Sequence, residues 1–172
     1  MALTMSGLIT SCAETPESSG QPHDFHPKVV LDDFLLIEGD GWSGSLTYLN
    51  YNEPEEEFSI PVNLGVGREG SVLKLALSYP DEPSADEVAE IEIYDEGRSM
   101  NGAEVISRDE EEGSIDIHTQ AECQDNNRAA ECLTIYELSA TKMTISKRVT
   151  YDGETESFRR NYYEFSRPAP TL

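Results

Sequence analysis

Hydrophobic residues recur at every second position along most of the chain after residue 41. One run carries its large apolar side chains at Phe58, Ile60, Val62, Leu64 and Val66. Another carries Met143, Ile145 and Val149 on one face, with polar residues on the other. A period of two is typical of β-strands that have one buried face. The pattern therefore predicts about nine strands, at residues 43–51, 56–66, 72–79, 87–94, 99–108, 114–122, 130–138, 143–151 and 157–166.

Turn signals separate these runs, at residues 68–70, 95–97, 112–113, 125–127 and 152–153. Their Gly, Asn and Asp residues tolerate the positive φ that tight hairpins require. Every link is short except residues 80–87, which favours an up-and-down meander over a Greek key. The first and last strands of such a meander pair antiparallel only if the number of strands is even. We therefore expect eight or ten strands, with one strand missed or one of the nine split. A helical turn is expected before them at residues 30–37, where Leu31, Phe34 and Leu35 share a face.

The sequence thus predicts an all-β chain that folds as a single antiparallel up-and-down β-barrel of 8–10 strands. A length of 172 residues fits one domain. The formal net charge of −22, from 12 Lys and Arg against 34 Asp and Glu, opposes a phosphate backbone. We expect a monomer that binds no nucleic acid and carries its acids as a solvated coat.

The N-terminal segment ends in Ile9-Thr10-Ser11-Cys12, which resembles the lipobox of bacterial lipoproteins. The resemblance implies a chain exported, acylated at Cys12 and anchored to a bacterial membrane, periplasmic or at the cell surface. The absence of Lys and Arg before Lys28 departs from the usual signal peptide. The alternative is an unstructured N-terminus with an incidental thiol. We expect residues 1–12 as leader, 13–28 as a disordered tether, 29–167 as the barrel and 168–172 as a tail.

A second resemblance rests on the two ends of the predicted barrel. A helical turn leads through Gly41 into Trp42 at the first strand, and the last strand ends at Arg167. This arrangement resembles the lipocalin and fatty-acid-binding (calycin) superfamily across residues 30–167. The resemblance implies that Arg167 packs over Trp42 at the closed end, where cation–π attraction is worth ~0.5–2 kcal/mol. The alternative leaves Trp42 in the core and Arg167 in the frayed tail.

No catalytic or metal-binding motif is recognisable, so we expect neither an enzyme nor a cofactor. The histidines, His23, His26 and His118, lack the spacing of a zinc site. Cys123 and Cys132 flank a polar loop that joins two predicted strands, which favours a disulfide over a nucleophile.

The calycin resemblance implies a binding protein for a small apolar or amphipathic ligand held inside the barrel, and this is the leading functional prediction. The residues expected to line that site are Leu46, Tyr48, Leu75, Leu77, Tyr79, Asn161 and Tyr163. Arg160 is expected on the opposite face of the last strand, exposed and paired with acids such as Glu164. The alternative function is a structural or protein-interaction lipoprotein whose barrel is filled and holds no ligand.

Overall fold

The computed structural model describes residues 26–51 and 56–169. Ten strands span Gly39–Leu49 (β1), Glu57–Glu69 (β2), Val72–Ser78 (β3), Glu87–Tyr94 (β4), Ser99–Met100 (β5), Ala103–Glu111 (β6), Ser114–Asp125 (β7), Arg128–Ser139 (β8), Lys142–Tyr151 (β9) and Phe158–Ser166 (β10). Three short 3₁₀ helices lie at Leu31–Leu36, Pro83–Ala85 and Asp95–Gly97. Of the leader predicted at residues 1–12 and the tether predicted at residues 13–28, residues 1–25 with Cys12 lie outside the described residues.

The ten strands form one closed antiparallel barrel in which each strand pairs with its neighbours in sequence and β1 pairs with β10. The all-β, up-and-down architecture is confirmed. The strand predicted at residues 99–108 is split in two, because a turn at Asn101-Gly102 separates β5 from β6. Both turn residues have positive φ, 51° and 80°, as Asn and Gly readily adopt. The split makes the strand count even.

The main core fills the end of the barrel where β1 begins and β10 ends. Its largest fully buried side chains include Phe34, Trp42, Met143 and Phe165. The 3₁₀ helix Leu31–Leu36 covers this end, so we call it the closed end; the opposite end, where β7 turns into β8, is the far end.

The buried face of the covering helix differs from the prediction. Phe34 is fully buried, but Leu35, expected on the same face, is 54% exposed. The helix has 3₁₀ geometry with three residues per turn, so Leu31 and Phe34 align while Leu35 points away.

A buried ion pair fixes this helix to the barrel. The Asp33 carboxylate accepts two hydrogen bonds from Arg108 of β6, at 2.7 and 2.9 Å, and a third from the Val30 backbone N–H at 2.9 Å. Bidentate pairing of this kind is the strong form of the charged hydrogen bond. The paired carboxylates Asp33 and Glu110 raise the pKa of the Arg108 guanidinium above its ordinary value.

The position predicted for Arg160 is wrong. The register between β9 and β10 shifts between Arg159 and Asn161, which marks a β-bulge at Arg160. The Arg160 side chain is therefore only 14% exposed, and it donates to Tyr51 and to the Leu49 carbonyl oxygen. Glu164 pairs with Lys142 instead, at 3.7 Å.

Candidate ligand-binding site

The barrel interior holds a cavity of about 180 Å³ beside the main core. Side chains from β2, β3, β4, β8, β9 and β10 form its apolar wall: Leu64, Leu75, Leu77, Ala89, Ile91, Tyr136, Ile145, Tyr163 and Phe165. A water molecule occupies ~30 Å³ in the liquid, so this space is several times larger than a packing defect. The cavity is therefore large enough for a small molecule.

Two tyrosines place a polar group on this wall. The Tyr79 and Tyr163 hydroxyl groups lie 3.0 Å apart, and the Tyr163 ring stacks on Phe165 with ring centroids 5.8 Å apart. Burial raises the pKa of Tyr163 well above its ordinary value, and the hydrogen bond to Tyr79 raises it further. Burial also raises the pKa of Tyr136 to about 12. These phenols are consequently neutral at physiological pH and can donate or accept hydrogen bonds.

The cavity reaches the surface at the side of the barrel, next to β5. This strand has two residues and pairs with β4 only at Ile93 and Tyr94. Beyond that point the Asn101 side chain replaces a strand, because its amide accepts from the Glu92 N–H and donates to the Glu90 carbonyl oxygen, at 2.7 and 2.8 Å. Asn101, Glu87 and Glu90 border the cavity here. We call this gap the side opening.

A layer of polar residues lies one step from the cavity toward the far end. By strand register, Tyr48 of β1 is beside Asn161 of β10, which is beside Lys147 of β9, then Thr134 of β8 and Thr119 of β7. Their neighbours two residues toward the closed end include the cavity-lining Tyr163, Ile145 and Tyr136, so all five side chains point inward by alternation. We call these five residues the polar belt.

Beyond the polar belt, a charged network joins three hairpins. The Asp125 carboxylate, 4% exposed, accepts hydrogen bonds from the Tyr51 and Tyr151 hydroxyl groups and lies 3.3 Å from Arg160 Nε. The Arg160 guanidinium also stacks 3.8 Å above the Tyr51 ring. Asp125 enters this position because β7 ends there and a two-residue turn follows, in which Asn126 and Asn127 both have positive φ.

The same end contains a second cavity of about 310 Å³, bordered by Tyr51, Tyr151, Phe158 and Arg160 among others. The donors of Arg160 in this cavity are directed at Tyr51, Leu49 and Asp125. A small apolar cluster of Ala130, Cys132 and Val149 lies beneath it. The polar groups of Arg160 at the far end are therefore already bound by other residues of the protein.

Arg167 lies over Trp42 at the closed end, with its guanidinium carbon 4.2 Å from the ring centroid. Its nitrogens donate to three carbonyl oxygens, of Leu36 at 2.9 Å, Glu38 at 2.8 Å and Ala140 at 2.8 Å. The Trp42 indole N–H donates to the Ile37 carbonyl oxygen at 2.9 Å. One side chain thus joins the covering helix, β1 and the turn between β8 and β9.

The predicted disulfide between Cys123 and Cys132 is present, with Cα atoms 5.9 Å apart. Cys123 faces Ala130 and Cys132 faces Ala121, so the bridge runs diagonally across the β7–β8 hairpin. It lies two residues before Asp125 and holds the hairpin that presents this carboxylate.

The seven residues predicted to line a ligand site fall into three groups. Leu75, Leu77 and Tyr163 line the cavity, and Tyr79 reaches it through its hydroxyl contact with Tyr163. Leu46 is partly buried against the main core. Tyr48 and Asn161 lie opposite each other in the polar belt, which borders the cavity without lining it.

The sequence interpretation missed Lys147 and the Asp125–Arg160 pair. The sequence did carry a signal for Lys147, since it belongs to the alternating row of Met143, Ile145 and Val149, which places it on the buried face. Arg160 gave no such signal, because a β-bulge that reorients a side chain has no reliable sequence pattern.

Among the described residues, no group of three or more His, Cys, Asp or Glu side chains is arranged to hold a metal ion. The described helices are also all too short or too polar to cross a lipid bilayer.

No protein-family model and no curated protein matches the sequence. Among solved structures, the fold is similar to the crystal structure of Rv2717c from M. tuberculosis, with a TM-score of 0.53 and 8% identity over 81% of this chain and 99% of that chain. A mutant of the fluorescent protein UnaG also matches, with a TM-score of 0.40 and 8% identity over 79% of this chain and 99% of that chain. At this identity the likeness to Rv2717c concerns the fold alone, which in this chain is a closed antiparallel barrel of ten strands.

Proposed function

We propose that the chain binds a small apolar or amphipathic molecule inside the barrel. The observation that carries the proposal is the interior cavity of about 180 Å³. Because the cavity is open to solvent at the side opening, a ligand would displace water from its apolar wall. Each Å² of apolar surface removed from water in this way is worth ~25 cal/mol.

The geometry also supports a particular size of ligand. Sites for drug-sized molecules measure ~300–1,000 Å³, so a cavity of about 180 Å³ fits a smaller occupant. The apolar wall of Leu75 and Leu77 would bury its body, while the Tyr163 hydroxyl would orient a polar group. The larger cavity at the far end is a weaker candidate, because its charged groups already bind each other.

The test uses protein lacking residues 1–12, a panel of small alcohols and alkanes, and thermal shift with isothermal titration as readouts. Ala89 lines the cavity, so Ala89→Leu should fill it and abolish binding. Ala76→Leu is the matched control, since Ala76 is exposed on the outer face of the adjacent strand. Native mass spectrometry of the purified protein would detect a copurified ligand.

Two results would contradict the proposal. One is the absence of binding by the whole panel, which would support the alternative of a structural or interaction protein. The other is equal binding by the Ala89→Leu and Ala76→Leu variants, which would place the ligand outside the interior cavity.

We further propose that the protein is exported and anchored by a lipid on Cys12. The proposal rests on the lipobox-like residues 9–12 and the polar stretch after them. Expressed with its full native leader, the protein should partition with membranes, and Cys12→Ser should release it to the soluble fraction. Ser6→Ala serves as the control; equal solubility of Cys12→Ser and the control would refute the anchor.

A further inference from the structure

We propose that the side opening binds an extended peptide segment of a partner protein, in which basic and apolar residues alternate. The segment would add as a strand to the edge of β4 that faces the opening, which we call the free edge. This partner is distinct from the small molecule proposed for the interior cavity. The backbone of β4, the width of the gap beside it and the charge of its border all favour such a partner.

The backbone of β4 presents hydrogen-bonding groups at the free edge. Asn101 binds the Glu90 carbonyl oxygen and both backbone groups of Glu92, so these groups point toward the side opening. In an antiparallel strand, the N–H and C=O of one residue point to the same edge, and successive residues alternate. The Glu90 N–H and both backbone groups of Val88 therefore also point into the opening. Among the described residues, no strand pairs with this edge before Ile93.

The gap beside the free edge is wide enough for a further strand. On the far-end side of the turn at residues 101–102, neither β5 nor β6 lies between β4 and β7. The reason is that β6 begins at Ala103 and pairs with β7 only as far as Gln120. Three strand spacings of ~4.8 Å separate β4 from β7 in the barrel order, roughly 14 Å in all. One strand added to β4 fits within this distance.

The border of the gap is acidic and poor in cations. Residues 80–92, which form the link before β4 and most of β4 itself, contain six Asp and Glu and no Lys or Arg. Within the described ranges 26–51 and 56–169, only Glu90 of these six pairs with a cation, Lys74 of β3. Opposite charges on neighbouring strands stabilise their pairing, and like charges oppose it. A basic segment is therefore favoured over an acidic one.

The pairing of β4 with β3 shows which side chains suit β4. Leu75 of β3 lies opposite Ala89, and both line the cavity. Lys74 of β3 lies opposite Glu90 on the outer face. A segment on the free edge would meet the same two faces of β4. Its apolar residues would lie against the cavity wall, and its basic residues would reach Glu90 and cover Val88, which is 61% exposed, with their alkyl stems.

The test uses the full chain with its disulfide intact and an acetylated, amidated octapeptide of alternating lysine and valine as the probe. One control peptide has four lysines followed by four valines, which keeps the charge and composition but loses the alternation. A second alternates glutamate and valine, which reverses the charge. Fluorescence anisotropy of labelled peptides gives the affinities, and amide hydrogen exchange followed by NMR gives the place of binding.

We expect the probe to slow the exchange of the Val88 and Glu90 amides by roughly tenfold or more. The Ala89 amide should change little, because by alternation it already points to β3. Both control peptides should bind at least about tenfold more weakly than the probe.

Two pairs of variants test the edge and its charge. Val88→Pro removes the N–H at the free edge and should weaken the probe by roughly tenfold, whereas Val88→Thr keeps the N–H and should weaken it by less than about threefold. Glu90→Gln should weaken the probe by about threefold, while Glu137→Gln, an exposed site on β8, should have little effect. Circular dichroism and Trp42 fluorescence confirm folding; if Val88→Pro does not fold, the exchange pattern and the glutamate pair decide.

Three results would overturn the proposal. Equal binding of the probe and the peptide with four lysines in a row would reduce the effect to general attraction by the acidic surface. Tighter binding of the glutamate peptide would contradict a basic partner. Protection of the Val88 amide that increases with the concentration of the protein alone would identify a second copy of this chain as the occupant.

Discussion

Replacing Arg167 by alanine removes a side chain that joins three parts of the closed end. The substitution deletes three hydrogen bonds from a cation to backbone carbonyl oxygens, of 2.8–2.9 Å, and the stacking on Trp42. Hydrogen bonds with a charged partner contribute ~1.5–3 kcal/mol when buried, and exposed cation–π contacts ~0.5–1 kcal/mol. Because this site is partly buried and water can replace some contacts, we expect a loss of about 4 kcal/mol.

The matched control is Arg159→Ala on the same strand. Arg159 also stacks on an aromatic ring, that of Tyr162 at 3.9 Å, and lies 3.4 Å from Glu57. Its side chain is 45% exposed, however, so its loss should cost less than about 1 kcal/mol. Arg167→Lys retains the charge but cannot reproduce three divergent hydrogen bonds, so we expect an intermediate loss.

The assay is urea unfolding followed by the fluorescence of Trp42, the sole tryptophan, together with circular dichroism. Trp42 is 1% exposed, so unfolding should shift its emission strongly to the red. The melting temperature of Arg167→Ala should fall by roughly 10 °C, at ~2–4 °C per kcal/mol for a domain of this size. Equal destabilisation by Arg167→Ala and Arg159→Ala would refute the idea that this cap secures the closed end.

Three further predictions concern other sites. A thiol reagent under denaturing conditions should find Cys123 and Cys132 unreactive before reduction, and reduction should cost ~2–3 kcal/mol; two reactive thiols would contradict the bridge. Asp125→Asn should destabilise the fold by about 3 kcal/mol, measured by urea unfolding, because the Arg160 charge loses its counter-ion; no loss would show that the network is not structural. Burial raises the pKa of Tyr136 to about 12, so at pH 10 to 12 the folded state keeps a phenol proton that the unfolded state loses. The free energy of unfolding should therefore fall as the pH rises from 10 to about 12. A spectroscopic titration in which every tyrosine ionises near pH 10 would refute this.

The period of two was sufficient to predict the strands and their antiparallel order, because alternation and hairpin turns are local properties of the sequence. The strand count was ambiguous at one place. Asn101-Gly102 is a strong turn dipeptide, but it lies inside residues 99–108, which were predicted as a single strand. The turn divides that run into β5 and β6, and so determines where the side opening of the barrel lies.

The site was predictable only where it follows the regular pleat. Leu75, Leu77 and Tyr163 share the inward face through simple alternation, and they line the cavity. The volume of the cavity depends on how side chains from six strands meet, which no single run of sequence specifies. The Asp125–Arg160 pair depends on a bulge in β10 and on a contact between distant hairpins.

The side opening has a consequence for solubility. Although the barrel closes in strand order, β4 has an unpaired stretch beside β5, and such a strand edge is a template for aggregation with another chain. Glu87 lies on this stretch next to Val88, which is strongly exposed, and Glu90, whose carbonyl oxygen accepts from Asn101, borders it. A second molecule that added a strand here would bring its own acids against these, at a cost set by like-charge repulsion. The carboxylates of Glu87 and Glu90 therefore disfavour edge-to-edge pairing of two copies of this chain along β4.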